Sequence, residues 1–130
     1  MNRVFKVSED REILASEWGD NDNPLVIMLH GGGQTRHSWK GVAAKIANLG
    51  FHVIAHDLRG HGESFWDHDG DYTFDAHRDD LVRIIQQLGK KASLVGASLG
   101  GMISLSLAGH EEESKSVSYT HLRAHETGYN

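Results

Sequence analysis

A chain of 130 residues that is 38% hydrophobic and 24% charged has the length and composition of one soluble globular domain with a single core. Its net charge of −5 argues against a nucleic-acid partner, and the lack of cysteine excludes disulfides and thiolate metal sites. No segment has the apolar length of a signal peptide or a membrane span, so we expect a cytoplasmic protein without a membrane anchor.

Predicted strands and helices alternate along the chain. Residues 4–7 and 13–18 are predicted to form half-buried strands, and three apolar runs predict buried strands at Leu25–Leu29, Phe51–Ala55 and Ala92–Val95. Two helices are marked by apolar residues at helical spacing: Trp39, Val42, Ala43, Ile46 and Leu49 in the first, and Phe74, Leu81, Ile84, Ile85 and Leu88 in the second. Gly50 and Gly89 are placed to end them, and a third helix is predicted from about Leu99 to Ala108. This order predicts an α/β fold, with a mostly parallel sheet and helices on both faces.

The third buried strand runs directly into a serine flanked by glycines, in the sequence GASLGG at residues 96–101. A serine becomes a nucleophile when a sharp strand-to-helix turn exposes its hydroxyl, and the strained turn requires small neighbours, here Gly96 and Gly100. We therefore predict Ser98 to be a nucleophile and the backbone amide of Leu99 to be an oxyanion donor, with Gly101 supporting the turn. The alternative is a glycine-rich turn without chemistry.

The first buried strand is followed by His30, Gly31, Gly32 and Gly33. Backbone amides on a glycine-rich turn can approach a substrate without side-chain obstruction, so this loop is predicted to supply the second oxyanion donor. Gly32 is the first candidate and Gly33 the next, while His30 is expected to brace the turn by hydrogen bonding. A phosphate-binding loop is the alternative, but no lysine follows at the P-loop spacing and no G-x-G-x-x-G is present.

The second strand is followed by the polar loop DLRGHGES at residues 57–64. We expect Asp57 and Arg59 to hold loops together rather than to transfer protons. The histidines and carboxylates of this region, His61, His68, Asp69, Asp71 and Asp75, match no metal-ligand spacing, so we predict a solvated polar loop and no metal site.

Together, HGGG, DLRGHGES and GASLGG resemble the α/β-hydrolase superfamily over residues 4–110, in the order and spacing of that family. The resemblance implies a cofactor-free serine hydrolase with a nucleophile elbow, acting on a small-molecule ester or a related acyl or carbon–carbon bond. Serine rather than aspartate at position 98 argues against the haloalkane dehalogenase and epoxide hydrolase branches. A non-catalytic relative that binds a small molecule is the alternative. The substrate and the oligomeric state are not indicated.

The resemblance also implies a triad acid and a histidine well downstream of Ser98. Only a short segment follows its helix, and His110 with Glu111 lies at the far helix end, so we expect an inactive fragment that lacks the last strands and the lid. Val117–Thr127, VSYTHLRAHET, resembles a translated transposase-type sequencing adapter. We therefore expect residues 1–116 to be the N-terminal part of a hydrolase domain, residues 117–130 to be a non-native tail, and the strand ending at Val95 to present an open apolar edge.

Overall fold

The computed structural model describes residues 1–110 together with the backbone of one further strand, and its strands form a single sheet. They are β1 (Asn2–Ser8), β2 (Arg11–Trp18), β3 (Leu25–Leu29), β4 (His52–His56), β5 (Ala92–Ala97) and β6 (Val117–Arg123). Their spatial order is β1-β2-β4-β3-β5-β6. The pairs β3–β4, β3–β5 and β5–β6 are parallel, whereas β1 and β2 form an antiparallel extension. The predicted mostly parallel sheet is confirmed.

Helices cover both faces of this sheet, as predicted. They are α1 (Lys40–Asn48), which follows a 3₁₀ turn at Arg36–Trp39, α2 (Phe74–Leu88) and α3 (Leu99–Ala108). Successive side chains of a strand point to opposite faces, and in β3 Val26 and Met28 pack with Ala43 of α1. Ile27 and Leu29 instead join the core formed with α2 and α3. Both faces of β3 and β4 are thus buried, which explains their uninterrupted apolar character.

The periodic pattern overestimated burial at the helix ends. Val42 and Leu49 of the first predicted helix are 49% and 77% exposed, and Phe74 of the second is 46% exposed. Phe74 opens α2 directly after its N-cap Thr73, and Leu49 lies just beyond the last residue of α1. Ala43, the neighbour of Val42, is fully buried against the sheet, so Val42 lies on the side of α1 that the sheet does not cover.

The expectation of an open edge at β5 was wrong. The backbone of Val117–Arg123 pairs in parallel with Ala92–Ala97 and forms the outermost strand. An unpaired strand edge offers a row of backbone donors and acceptors that an extended segment can bind. The β-branched and aromatic residues of VSYT favour an extended conformation.

Within the described residues, no helix is long and apolar enough to cross a bilayer.

Candidate active site

Ser98 occupies the turn between β5 and α3. Its backbone angles are φ = 53° and ψ = −113°, and it is the one residue other than glycine with positive φ among the described residues. The side chain is exposed and makes no capping hydrogen bond to α3. A side chain with a Cβ disfavours this region of backbone space, so the surrounding structure must hold the residue there. The result is a hydroxyl presented to solvent at the carboxyl end of a central strand.

Two glycines allow this turn to form. A Cβ on Gly96 would collide with the carbonyl of Gly100 and with the backbone nitrogen of Gly101. A Cβ on Gly100 would collide with the carbonyl of Leu29 in β3. Both positions therefore require glycine because backbone passes against backbone, and the contact sets the first turn of α3 directly against the sheet.

The glycine-rich loop after β3 lies beside this turn. A cavity of about 170 Å³ is lined by Gly31, Gly32, Gln34, Ala97 and Ser98. A Cβ added to Gly32 would lie 3.7 Å from a methyl group of Leu99, so the two predicted oxyanion residues are neighbours. The fold thus brings the serine, the triple glycine and the start of α3 to one edge of the sheet.

The backbone amides of the loop are not equivalent. The Gly31 amide donates to the side-chain oxygen of Gln34 at 3.0 Å, and the Gly33 amide donates to Nε2 of His61 at 3.1 Å. Gly32 makes no such bond within the part of the chain that is described.

Leu99 supplies the other predicted donor. It is the first residue of α3, and the first-turn amides of a helix have no acceptor inside the helix. Their dipoles add a partial positive charge next to Ser98.

His30 lies inside the protein beneath this loop. Its Nδ1 donates to the carbonyl of Gly31 at 2.7 Å, and its Nε2 accepts from the amide of Leu58 at 3.0 Å. Burial lowers the pKa of His30, and the nearby imidazole of His61 lowers it further, against the opposing effect of the Gly31 bond. A neutral, fully bonded imidazole of this kind joins two loops and has no free nitrogen for a substrate.

Below the loops, Asp57 is buried against Arg36. The carboxylate accepts from the Arg36 guanidinium and from the backbone amides of Arg36 at 2.7 Å and Glu63 at 2.9 Å. Burial alone would raise the pKa of Asp57, but these backbone bonds and the guanidinium outweigh it, so the pKa is lowered. The pair fixes the chain after β3 to the chain after β4.

Arg59 forms a second buried link. Its guanidinium makes a bidentate pair with Asp80 of α2, at 2.7 and 2.8 Å, and lies 4.9 Å from the centre of the Phe65 ring. Fork-to-fork geometry of this kind fixes orientation as well as charge. Asp57 and Arg59 thus hold loops together, in agreement with the expectation for the DLRGHGES segment.

Sequence reasoning missed three contributors to this site: Arg36, Gln34 and His61. Arg36 lies in no recognised motif, and its pairing with Asp57 is visible only in the folded chain. His61 was expected to belong to a solvated loop but is half-buried and bonded to Gly33, whereas His68 and Asp69 are exposed as expected. Among the described residues, no three potential ligands converge on a common point for a metal ion.

A base for Ser98 is not evident in the described part of the chain. Among residues 1–110, the Ser98 hydroxyl forms no hydrogen bond with an imidazole or a carboxylate. His110 follows the far end of α3, and Glu111 lies outside the described residues. The nearby large aromatic residues lie elsewhere: Trp39 packs on the α1 face of the sheet, Phe65 packs against the core on the opposite face, and Trp66 is 65% exposed.

A mostly parallel sheet with a strained turn between a central strand and its helix defines an α/β protein whose site lies at the carboxyl ends of the strands. The chain belongs to the alpha/beta hydrolase fold family, whose model matches residues 24–121. The predicted superfamily is therefore confirmed.

Individual relatives agree with this assignment. Over 97 residues the chain is 42% identical to an esterase of Mycobacterium tuberculosis, a match that covers 74% of this chain and 31% of the esterase. It is 34% identical over 91 residues to a bifunctional esterase/perhydrolase of Acinetobacter calcoaceticus, covering 69% of this chain and 33% of that protein. The thioesterase domain from the curacin biosynthetic pathway superposes with a TM-score of 0.84 at 27% identity, covering 100% of this chain and 50% of that domain. The chain thus spans about a quarter to a third of the length of the curated relatives it matches.

Proposed function

We propose that this chain is the nucleophile-bearing part of a serine hydrolase that acts on esters or related acyl or carbon–carbon bonds of small molecules. The observation that carries the proposal is the exposed Ser98 on a strained turn, sharing one cavity with Gly31 and Gly32. Two relatives named as esterases support the choice of substrate class.

In the proposed reaction, the Ser98 oxygen attacks the carbonyl carbon while a base accepts its proton. The carbonyl oxygen becomes an oxyanion that accepts hydrogen bonds from the amides of Gly32 and Leu99. Each such donor is worth about 10²–10³ in rate when it is correctly placed. The intermediate then collapses, the alcohol leaves with a proton from the base, and water hydrolyses the acyl-serine.

The base and its orienting acid are proposed to lie downstream of Ser98 in a longer protein, as the chain order of this fold implies. On this proposal residues 1–116 are the N-terminal part of the domain, residues 117–130 are a non-native adapter-encoded tail, and the 130-residue chain is inactive. The pairing of Val117–Arg123 with β5 then reflects the capacity of an unpaired edge to bind an extended segment.

The source locus tests this proposal. We expect the reading frame beyond codon 115 to continue into further strands, an acid and a histidine. Adapter-like codons in the genomic DNA would contradict the proposed tail, and replacement of the acid and histidine would favour a small-molecule-binding relative without catalysis.

Activity is then measured on the product of the complete reading frame with a p-nitrophenyl butyrate assay. We expect Ser98→Ala to lower kcat by at least about 10³-fold. Ser106→Ala, in the same helix and away from the turn, is the matched control and should retain activity. Unchanged turnover in Ser98→Ala would overturn the proposed nucleophile.

A further inference from the structure

Two histidine side chains hold the loop that carries the proposed oxyanion donor. His30 and His61 come from different loops, and their ring centres lie 4.9 Å apart. His30 Nδ1 bonds the Gly31 carbonyl, while His61 Nε2 accepts from the Gly33 amide at 3.1 Å and His61 Nδ1 donates to the Arg59 carbonyl at 3.0 Å. The loop is thus bound by an imidazole on each side of Gly32.

These bonds determine the tautomer of His61. A backbone N–H can only donate, so the Nε2 atom that faces Gly33 must be an unprotonated acceptor. A backbone carbonyl can only accept, so the Nδ1 atom that faces Arg59 must carry the proton. The geometry therefore fits the tautomer that carries its proton on Nδ1, the same tautomer that fits the bonds of His30.

The bond from Gly33 has a consequence for the cavity. With the Gly33 amide bound to His61 and the Gly31 amide bound to Gln34, two of the three loop amides are already used. Gly33 adopts φ = 78°, a left-handed conformation that glycine reaches without strain and that turns its amide toward His61. The third amide, from Gly32, is left for an incoming oxygen.

We propose that His61 is a positioning residue for this loop: it binds the Gly33 amide and so leaves Gly32 as the donor that meets the substrate oxyanion. The proposal rests on the hydrolase function proposed above. His61 acts through Gly33 and does not itself touch the reacting atoms.

Two substitutions separate the roles of the ring atoms. Glutamine places an amide oxygen near the position of Nε2 and can accept from Gly33, whereas the shorter asparagine reaches only the position of Nδ1. In the product of the complete reading frame we expect His61→Asn to lower kcat by about 10–10²-fold, because a misplaced donor loses its fit to the transition state. KM should stay within about 2-fold because the interaction matters mainly in the transition state.

His61→Gln should restore most of the lost kcat, and His68→Asn, an exposed change in the same segment, should have no effect on kcat.

NMR of the 130-residue chain provides a second test. The ¹⁵N chemical shifts of His61 should show that Nε2 is unprotonated. Exchange of the Gly33 amide with solvent should be about 10-fold faster in His61→Asn than in His61→Gln, as expected for loss of a local hydrogen bond.

The outcomes distinguish the two proposals. Equal kcat in the wild type and His61→Asn, with Ser98→Ala inactive, would overturn the role of His61 and leave the hydrolase function standing. Unchanged activity in Ser98→Ala would overturn the hydrolase function, while the exchange data would still report on the His61–Gly33 bond. A protonated Nε2, or equal Gly33 exchange in both His61 variants, would overturn the positioning role directly.

Discussion

Ser98 holds a backbone conformation, φ = 53° and ψ = −113°, that glycine adopts freely and other residues disfavour. Such a conformation costs a residue with a Cβ about 1–3 kcal/mol. Comparing Ser98→Gly with Ser98→Ala isolates this cost, because both variants remove the hydroxyl and only alanine retains the Cβ. Glycine carries an opposing entropic penalty of about 0.5–1 kcal/mol relative to alanine. The difference between these ranges is about 0–2.5 kcal/mol, so we expect Ser98→Gly to be more stable than Ser98→Ala by about 1 kcal/mol.

Ser106 provides the matched control. It lies within α3, where its hydroxyl accepts from Arg78 at 3.3 Å, and both substitutions remove that bond equally. In a helix interior glycine is worse than alanine by about 1 kcal/mol, so the order of the two variants should reverse.

Urea unfolding at pH 7.5, followed by circular dichroism, measures the difference. With an m value of about 1–3 kcal/mol/M, a change of 1 kcal/mol moves the midpoint by about 0.3–1 M. If Ser98→Gly is less stable than Ser98→Ala by the same amount as at Ser106, the turn stores no strain and the reasoning fails.

Three further predictions concern the packing around the site. Burial lowers the pKa of His56 to about 3 and that of His77 to about 4. Below pH 6.5 the unfolded chain therefore binds more protons than the folded chain, and the free energy of unfolding decreases as the pH is lowered. We expect each of these two histidines to contribute a loss of about 2 kcal/mol as the pH falls from 7 to 5, so His77→Leu should lose about 2 kcal/mol less than the wild type over that interval, measured by urea unfolding at each pH. Gly100→Ala should lower the free energy of unfolding by about 1–3 kcal/mol because α3 must move away from the sheet. Gly41→Ala, where nothing lies near the added methyl group in α1, should raise the free energy of unfolding by about 1 kcal/mol, and thermal unfolding compares the two variants. Arg36→Met should cost about 3–5 kcal/mol in a denaturant titration, because it leaves the buried aspartate without its cation; a loss below 1 kcal/mol would contradict the importance of that pair.

The central strands and the position of Ser98 were predictable because their signals are local. Leu25–Leu29 is an apolar run bounded by turn residues, and the fold buries it on both faces. The glycines at 96 and 100 indicated a turn in which backbone approaches backbone, and each lies in such a contact. Since parallel strands end at the same edge of a sheet, the HGGG and GASLGG motifs were expected to meet there.

The contacts that hold the site were not predictable, since they join residues far apart in the chain. The Gly33–His61 bond spans 28 positions and the Arg36–Asp57 pair spans 21. A histidine in a polar loop gives no sign in the sequence of which nitrogen will face a backbone amide. The pairing of Val117–Arg123 with β5 was missed for a different reason: it depends on backbone groups that every residue carries, not on a motif.

We propose that Ser98 is the nucleophile and that the amides of Gly32 and Leu99 bind the oxyanion formed from the substrate carbonyl. The most direct measurement is tandem mass spectrometry of the complete gene product after treatment with a fluorophosphonate. An activated serine attacks its phosphorus and displaces fluoride, which leaves a tetrahedral phosphonate ester whose oxygen lies at the oxyanion position. We predict a single adduct on Ser98 and none in Ser98→Ala. An adduct on another residue, or none on a protein that still hydrolyses esters, would contradict the account.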